Sequence, residues 1–231
     1  MSRSKTLAIA ACLCVFALIV GIYVLRAVNF KQTHYQVGQV PAEIAERLFP
    51  KDIPLAALRP PALRSQDPIR FGGTTSVISI IEYGDFECPY CRQITPLLQD
   101  IARPYGGQVR FVWRDFLPIE TRPNALAAAI FARCAGLQNK YWEAHDALIS
   151  ADSLKNRGLD SIAKKLNLDE DQLNACRQAP VIEQAILRDV EEARADGIKN
   201  VPVIFVGAQA FESFTDTEAL RQAIEKALTA S

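Results

Sequence analysis

Phe86-Glu87-Cys88-Pro89-Tyr90-Cys91 sets two cysteines two residues apart. Upstream, Ser76 to Tyr83 (Ser-Val-Ile-Ser-Ile-Ile-Glu-Tyr) is a continuous β-branched run, the pattern of a strand covered on both faces. Downstream, a helical pattern runs from Pro89 to Arg103 with Pro96 inside it. A cysteine pair at such a junction can close a small disulfide ring, open it and pass it to another protein. Zinc is the competing use of this spacing, but it needs a second Cys/His pair. Cys134 and Cys176 are far apart and His34 and His145 are isolated, so no metal is expected.

The junction also assigns roles. A helix N-terminus carries about half a positive charge and unpaired N–H groups, so a thiolate placed there is stabilised. Cys88 occupies that position, and Pro89 suits the first helical turn because its missing N–H costs nothing there. Cys91 lies a turn further in and is expected to be the more buried. Cys88 is thus the expected nucleophile and Cys91 the resolving thiol.

Beyond the junction, Gln108 to Trp113 predicts a second strand after a Gly106-Gly107 turn. Helical periodicity then covers Asn124 to Leu137, Tyr141 to Ile149, Leu159 to Leu166, Asp169 to Arg177 and Val181 to Asp196, with Asp169 as a cap and Gly197 as a stop. Val201 to Val206 predicts a third strand, and Gly207-Ala208-Gln209 turns it toward a fourth near Ala210 to Phe214. Thr215 or Asp216 caps a last helix to about Leu228. Strand, helix, strand, long helical stretch, strand, strand, helix predicts an α/β sandwich.

Thr6 to Leu25 holds no charged side chain. At about 1.5 Å per residue this run spans about 30 Å, the thickness of a bilayer core. Arg3 and Lys5 before it favour a cytoplasmic N-terminus with the remainder outside. An uncleaved anchor over residues 1–25 is the expected reading. A cleaved signal lacks a convincing small-x-small site, and a lipoprotein signal at Ile9-Ala10-Ala11-Cys12 leaves the apolar run continuing past it. Residues 26–70, punctuated by Pro41, Pro50, Pro54, Pro60, Pro61 and Pro68, read as a stalk with one short helix at 42–49. The folded domain is expected over 71–229.

The chain of 231 residues carries 26 basic and 26 acidic side chains and is about half apolar. It is long enough to bury a core without depending on disulfides. No Lys/Arg-rich block appears, which argues against a nucleic-acid partner.

Three segments together resemble the thioredoxin-fold proteins, and among them the DsbA-like thiol:disulfide oxidoreductases. They are Ile81-Glu82-Tyr83-Gly84-Asp85-Phe86-Glu87-Cys88-Pro89-Tyr90-Cys91 followed by Pro96; Ala132-Arg133-Cys134-Ala135-Gly136-Leu137-Gln138-Asn139-Lys140-Tyr141-Trp142-Glu143-Ala144-His145-Asp146; and Gly197-Ile198-Lys199-Asn200-Val201-Pro202-Val203-Ile204-Phe205-Val206-Gly207. Glutaredoxins share Cys-Pro-Tyr-Cys but are too short for the helical insertion, placed here at about 120–180.

The resemblance, which covers roughly residues 67–229, implies a thioredoxin-like α/β fold with an inserted helical subdomain; the apolar run at 6–25 places one transmembrane helix before it. It implies that Pro202 is the fold's cis-proline, that Val201 pairs with the substrate backbone beside Pro89 and Tyr90, and that Pro96 kinks the active-site helix. Glu82 matches a buried acid that assists proton transfer. The implied activity is disulfide formation in reduced exported proteins, without a cofactor, at a bacterial inner membrane with the catalytic domain on the periplasmic side. A quinone-linked membrane partner would reoxidise the centre. The alternatives are a reductase or isomerase fed by a transmembrane reductase, and a non-catalytic tethered chaperone.

Two readings stay open in the sequence. An exported domain is oxidised, so Cys134 and Cys176 suggest a structural disulfide, against two buried free thiols. The Pro-Tyr dipeptide offers no imidazole to hold a thiolate, and Asp85 and Glu87 add negative charge that opposes one, while the helix dipole favours it. His145 reads as a packed helix residue rather than half of a Cys-His protease pair.

Overall fold

The computed structural model describes residues 58–73, 75–117, 122–212 and 217–230. The expected anchor at 1–25, the stalk up to residue 57 with its helix at 42–49, and the Thr215/Asp216 cap lie outside the described residues. Among those described, no helix is long and apolar enough to cross a membrane.

The elements run β1 (Ile69–Phe71), β2 (Ile78–Gly84), α1 (Pro89–Ala102), a 3-10 segment (Arg103–Gln108), β3 (Val109–Asp115), α2 (Ala125–Gly136), α3 (Tyr141–Ser150), α4 (Asn156–Lys165), α5 (Glu170–Arg177), α6 (Pro180–Ala195), β4 (Val203–Val206), β5 (Gln209–Glu212) and α7 (Thr217–Thr229). They form one five-stranded sheet in the order β1-β3-β2-β4-β5. β2 runs parallel to β3, and the β1–β3, β2–β4 and β4–β5 pairs are antiparallel.

The apolar run at 76–83 is continuous because β2 is the central strand with both faces buried. Its even-numbered residues Ile78 and Ile80 pack with Val109, Phe111, Ile204 and Val206 beneath Ile94 and Leu98 of α1 and Leu220 and Ile224 of α7. Its odd-numbered residues Ile81 and Tyr83 join Val112, Val203 and Phe205 against Phe131 of α2, Leu148 of α3 and Ile186 and Val190 of α6. A seven-residue strand thus serves two cores by the alternation of its side chains. Gly84 ends it where a Cβ would meet the Trp113 indole at 2.3 Å, so a side chain there would displace that ring.

The folded domain begins earlier than the predicted residue 71. β1 pairs with β3 through Ile69↔Val112 and Phe71↔Arg110, and Leu58 is buried in the core. Asp67 bonds the buried Arg114 guanidinium at 2.6 and 3.0 Å, and Arg64 bonds Asp189 of α6. Pro60, Pro61 and Pro68 therefore mark an extended strap laid on the domain, and the end of the predicted stalk belongs to the fold.

Charged side chains tie the helices to the sheet. Asp115 at the end of β3 accepts from Trp113 Nε1 at 3.0 Å and from Arg133 of α2 at 2.9 Å; Arg133 also bonds Asp189, which in turn bonds Arg64. Such a network holds its geometry because each buried charge meets an opposite one. Cys134 and Cys176 are joined by a disulfide across 42 residues, fixing α5 to α2. In the chain-entropy account a loop of that length corresponds to about 4 kcal/mol of stabilisation.

Candidate active site

Cys88 is the N-cap of α1. Its backbone is extended (φ −74°, ψ 117°), and its Sγ accepts the Cys91 N–H at 3.2 Å. A sulfur takes the place that Ser or Asp oxygens usually hold at a helix start. Pro89 fills the first helical position, and the Cys88 N–H bonds the Asp85 carbonyl at 2.9 Å. Both cysteines are free thiols.

Neither thiol exposes surface, and Cys91 lies the deeper of the two, as expected. Cys88 is covered from across the sheet: the Val201-Pro202 peptide bond is cis, and the Val201 carbonyl oxygen lies 3.7 Å from Cys88 Sγ. Pro89 is exposed and Tyr90 is 68% exposed, so an open apolar rim stands beside the covered sulfur.

The two thiols are electrostatically opposite. Cys88 is pulled down to about 6, first by the hydrogen bond from the Cys91 thiol, then against burial by the Cys91 N–H, the Arg122 charge and the Tyr90 N–H. Cys91 is pushed far above an ordinary thiol by burial, by the bond it gives Cys88 and by the charge of Glu82. One sulfur is an anion near neutrality and the other keeps its proton.

Glu82 is fully buried on β2, paired across the sheet with Trp113 and Ile204. Burial raises it well above the usual carboxylate range, opposed by a hydrogen bond from Thr95. Thr95 Oγ1 stands 2.8 Å from Glu82 Oε1 and 2.7 Å from the Cys91 carbonyl, while Glu82 Oε2 has no hydrogen-bond partner among the described residues. An acid held neutral under a redox pair can give or take a proton there.

Arg122 was invisible to sequence reasoning. It bonds the buried Asp85 at 2.7 Å and brings a positive charge toward Cys88. The anions Asp85 and Glu87, read from sequence as opposing a thiolate, are both engaged. Asp85 also accepts the Glu87 N–H at 2.7 Å, and Glu87 accepts the Asn124 N–H at 2.8 Å. No local pattern marks Arg122, because its partner lies 37 residues away.

His145 is fully buried among Phe86, Trp113, Tyr141 and Trp142, with ring centroids 4.8 to 6.3 Å away. Burial lowers it below an ordinary histidine despite the bond of Nδ1 to Asp146, and Nε2 has no partner among the described residues. It is therefore a neutral core residue, and it supports Phe86, two positions before Cys88.

A cysteine-capped helix, a cis-proline loop facing it and a buried acid beneath it define a thiol–disulfide redox centre on a thioredoxin-like α/β fold with an inserted helical subdomain, α2–α6. Residues 64–226 match the family model described as thioredoxin, and the chain belongs to that family.

Among solved structures, a thioredoxin-like oxidoreductase from Silicibacter pomeroyi DSS-3 superposes with a TM-score of 0.65 at 25% identity, covering 73% of this chain and 95% of that one. DsbA2 from Pseudomonas aeruginosa gives 0.59 at 25%, covering 72% and 96%. The thiol-disulfide exchange protein alpha-DsbA2 from Wolbachia pipientis gives 0.63 at 23%, covering 70% and 87%, and shows the shared fold. A curated relative, the Na(+)/H(+) antiporter NhaA 1 of Salinispora arenicola (strain CNS-205), is 31% identical over 191 residues, 81% of this chain. The chain spans only 28% of that relative's length. The described domain has the DsbA-like form, and its Cys88-Pro89-Tyr90-Cys91 motif supports thiol–disulfide oxidoreductase activity.

Proposed function

We propose that this protein forms disulfides in reduced exported proteins, from a membrane-tethered domain on the periplasmic side of a bacterial inner membrane. The observation that carries the exchange chemistry is the asymmetry of the pair. Cys88 is held as a thiolate near neutrality and Cys91 as a thiol. Stabilising the reduced form in this way makes the disulfide a stronger oxidant.

The mechanism follows from the geometry. A substrate thiolate attacks Cys88 Sγ of the oxidised pair, the Cys88–Cys91 bond breaks, and Cys91 leaves with the electron pair. Glu82 supplies the proton that Cys91 holds in the reduced form. The mixed disulfide then sits beside Val201 and Pro202, with the exposed Pro89 and Tyr90 as the surface a substrate chain meets. A second substrate thiolate attacks its own sulfur in that mixed disulfide, and Cys88 departs as the stabilised thiolate. A membrane partner, quinone-linked in this reading, then takes two electrons and restores the Cys88–Cys91 bond, and the Cys91 proton returns to Glu82.

The Cys134–Cys176 disulfide supports an oxidising compartment. The predicted anchor over residues 1–25 supplies the tether. The deciding measurement is the reduction potential of the Cys88–Cys91 pair. A value near −120 mV fits the oxidase, whereas one near −270 mV assigns the chain to the reductase alternative fed by a transmembrane donor.

A further inference from the structure

Thr95 has one hydroxyl proton and two acceptors within reach: Glu82 Oε1 at 2.8 Å and the Cys91 carbonyl at 2.7 Å. A hydroxyl donates one hydrogen bond at a time. The side chain is fully buried. The arrangement has two complete states. With Glu82 ionised, Thr95 donates to the carboxylate. With Glu82 neutral, a proton on Oε2 would meet no acceptor among the described residues, whereas one on Oε1 has Thr95 Oγ1 at 2.8 Å. The proton therefore belongs on Oε1, from which it is donated to Thr95 Oγ1, and Thr95 donates onward to the Cys91 carbonyl.

We propose that Thr95 is a positioning residue for disulfide exchange, a single hydroxyl switch that stabilises the Glu82 carboxylate at the moment its proton goes to Cys91. The inference rests on Glu82 acting as the proton donor described above. The step balances as follows. The substrate thiolate forms an S–S bond to Cys88, the Cys88–Cys91 bond breaks, the Cys91 sulfur takes the electron pair and then the Glu82 proton, and the Thr95 O–H rotates from the Cys91 carbonyl to Glu82 Oε1. Nothing else is oxidised or reduced.

The surroundings leave this hydroxyl as the polar control. The titratable groups facing Glu82 are Cys88 and Cys91 of α1. Its strand neighbours are Trp113 of β3 and Ile204 of β4, and α7 covers this face with Leu220, Ala223 and Ile224. His145 of α3 contacts Trp113 and is held neutral by burial.

Thr95→Val keeps the shape and removes the hydroxyl, and Thr95→Ser keeps the hydroxyl. The readout is the carboxyl stretching band of Glu82, followed by infrared difference spectroscopy during pH titration of the reduced protein and assigned by its loss in Glu82→Gln. Thr95→Val is expected to move the Glu82 midpoint up by about half a pH unit or more, since the bond lost by the ionised acid is stronger than the one lost by the neutral acid. Thr95→Ser is expected to titrate like the parent. The pH at which small thiols attack the oxidised protein half-maximally should follow the same order. A Glu82 midpoint unmoved in Thr95→Val, or moved equally in Thr95→Ser, overturns the proposal. The titration needs no turnover, so its outcome is separate from the functional reading, which fails if Cys88→Ser still exchanges disulfides.

Discussion

The carboxylate of Glu87, one residue before the nucleophile, accepts both the backbone N–H and the side-chain amide of Asn124 at the head of α2. A residue of the redox loop thereby caps the first helix of the insertion, where a negative charge also meets the helix dipole. Glu87→Ala should cost about 1 kcal/mol in urea unfolding. It should also loosen the loop that carries Cys88, measured as faster amide exchange at residues 85–88. A variant with unchanged stability and exchange would show that the cap does not hold the loop.

The Cys88–Arg122 arrangement sets a pH profile. Iodoacetamide alkylation of reduced protein should report a thiol with a midpoint near 6. Arg122→Gln removes a charge that favours the thiolate, so the midpoint should rise by roughly half a pH unit, less at high salt because the guanidinium is partly exposed. A midpoint that stays put assigns the stabilisation to the helix N-terminus and Cys91 alone.

Cys91→Ser should retain a reactive Cys88 and accumulate mixed disulfides with reduced proteins, visible on non-reducing gels. Cys88→Ser should abolish exchange, because Cys91 is buried and holds its proton tightly. Trapping through Cys91 in the Cys88→Ser protein would reverse the assigned roles.

His145 gives a stability signature in acid. Its folded-state pKa lies below the ordinary 6.5, so the unfolded chain binds its proton more readily. Its contribution is complete above about pH 6.5 and is lost as pH falls toward the lowered folded value. Glu82 acts oppositely: its raised pKa favours the fold below the ordinary 4.5 and works against it as pH rises through the folded value. His145→Phe should therefore flatten the acid limb of the stability profile, and Glu82→Leu should gain stability at neutral pH while slowing exchange. Parallel profiles in His145→Phe and parent would refute the assignment.

The strand–cysteine–helix junction and the run of helices after β3 are legible in the chain because they rest on local pattern, β-branched runs and 3.6-residue periodicity, whereas the Val201-Pro202 loop is legible only through the resemblance of the Gly197 to Gly207 stretch to a known family. β1 was not, since three residues, Ile69-Arg70-Phe71, are too few to show alternation and their register comes only from β3. Thr95 and Arg122 were passed over for a different reason. Each looks like an ordinary polar residue until the fold brings Glu82 or Asp85 to it from 13 or 37 positions away. Asp67 likewise carried no hint that it would neutralise a guanidinium as buried as that of Arg114, 47 residues on.

The strap over residues 58–71 has a mechanical consequence. Downstream from Leu58, which is itself in the core, the chain is held by the Arg114 bond to the Ala62 carbonyl, then by the Arg64–Asp189 and Asp67–Arg114 pairs and the β1–β3 ladder. β1 is the outer strand and β3 stands between it and β2, whose end leads into Cys88. The strap is thus anchored at the sheet's outer edge, two strands away from β4 and the Val201-Pro202 loop that precedes it.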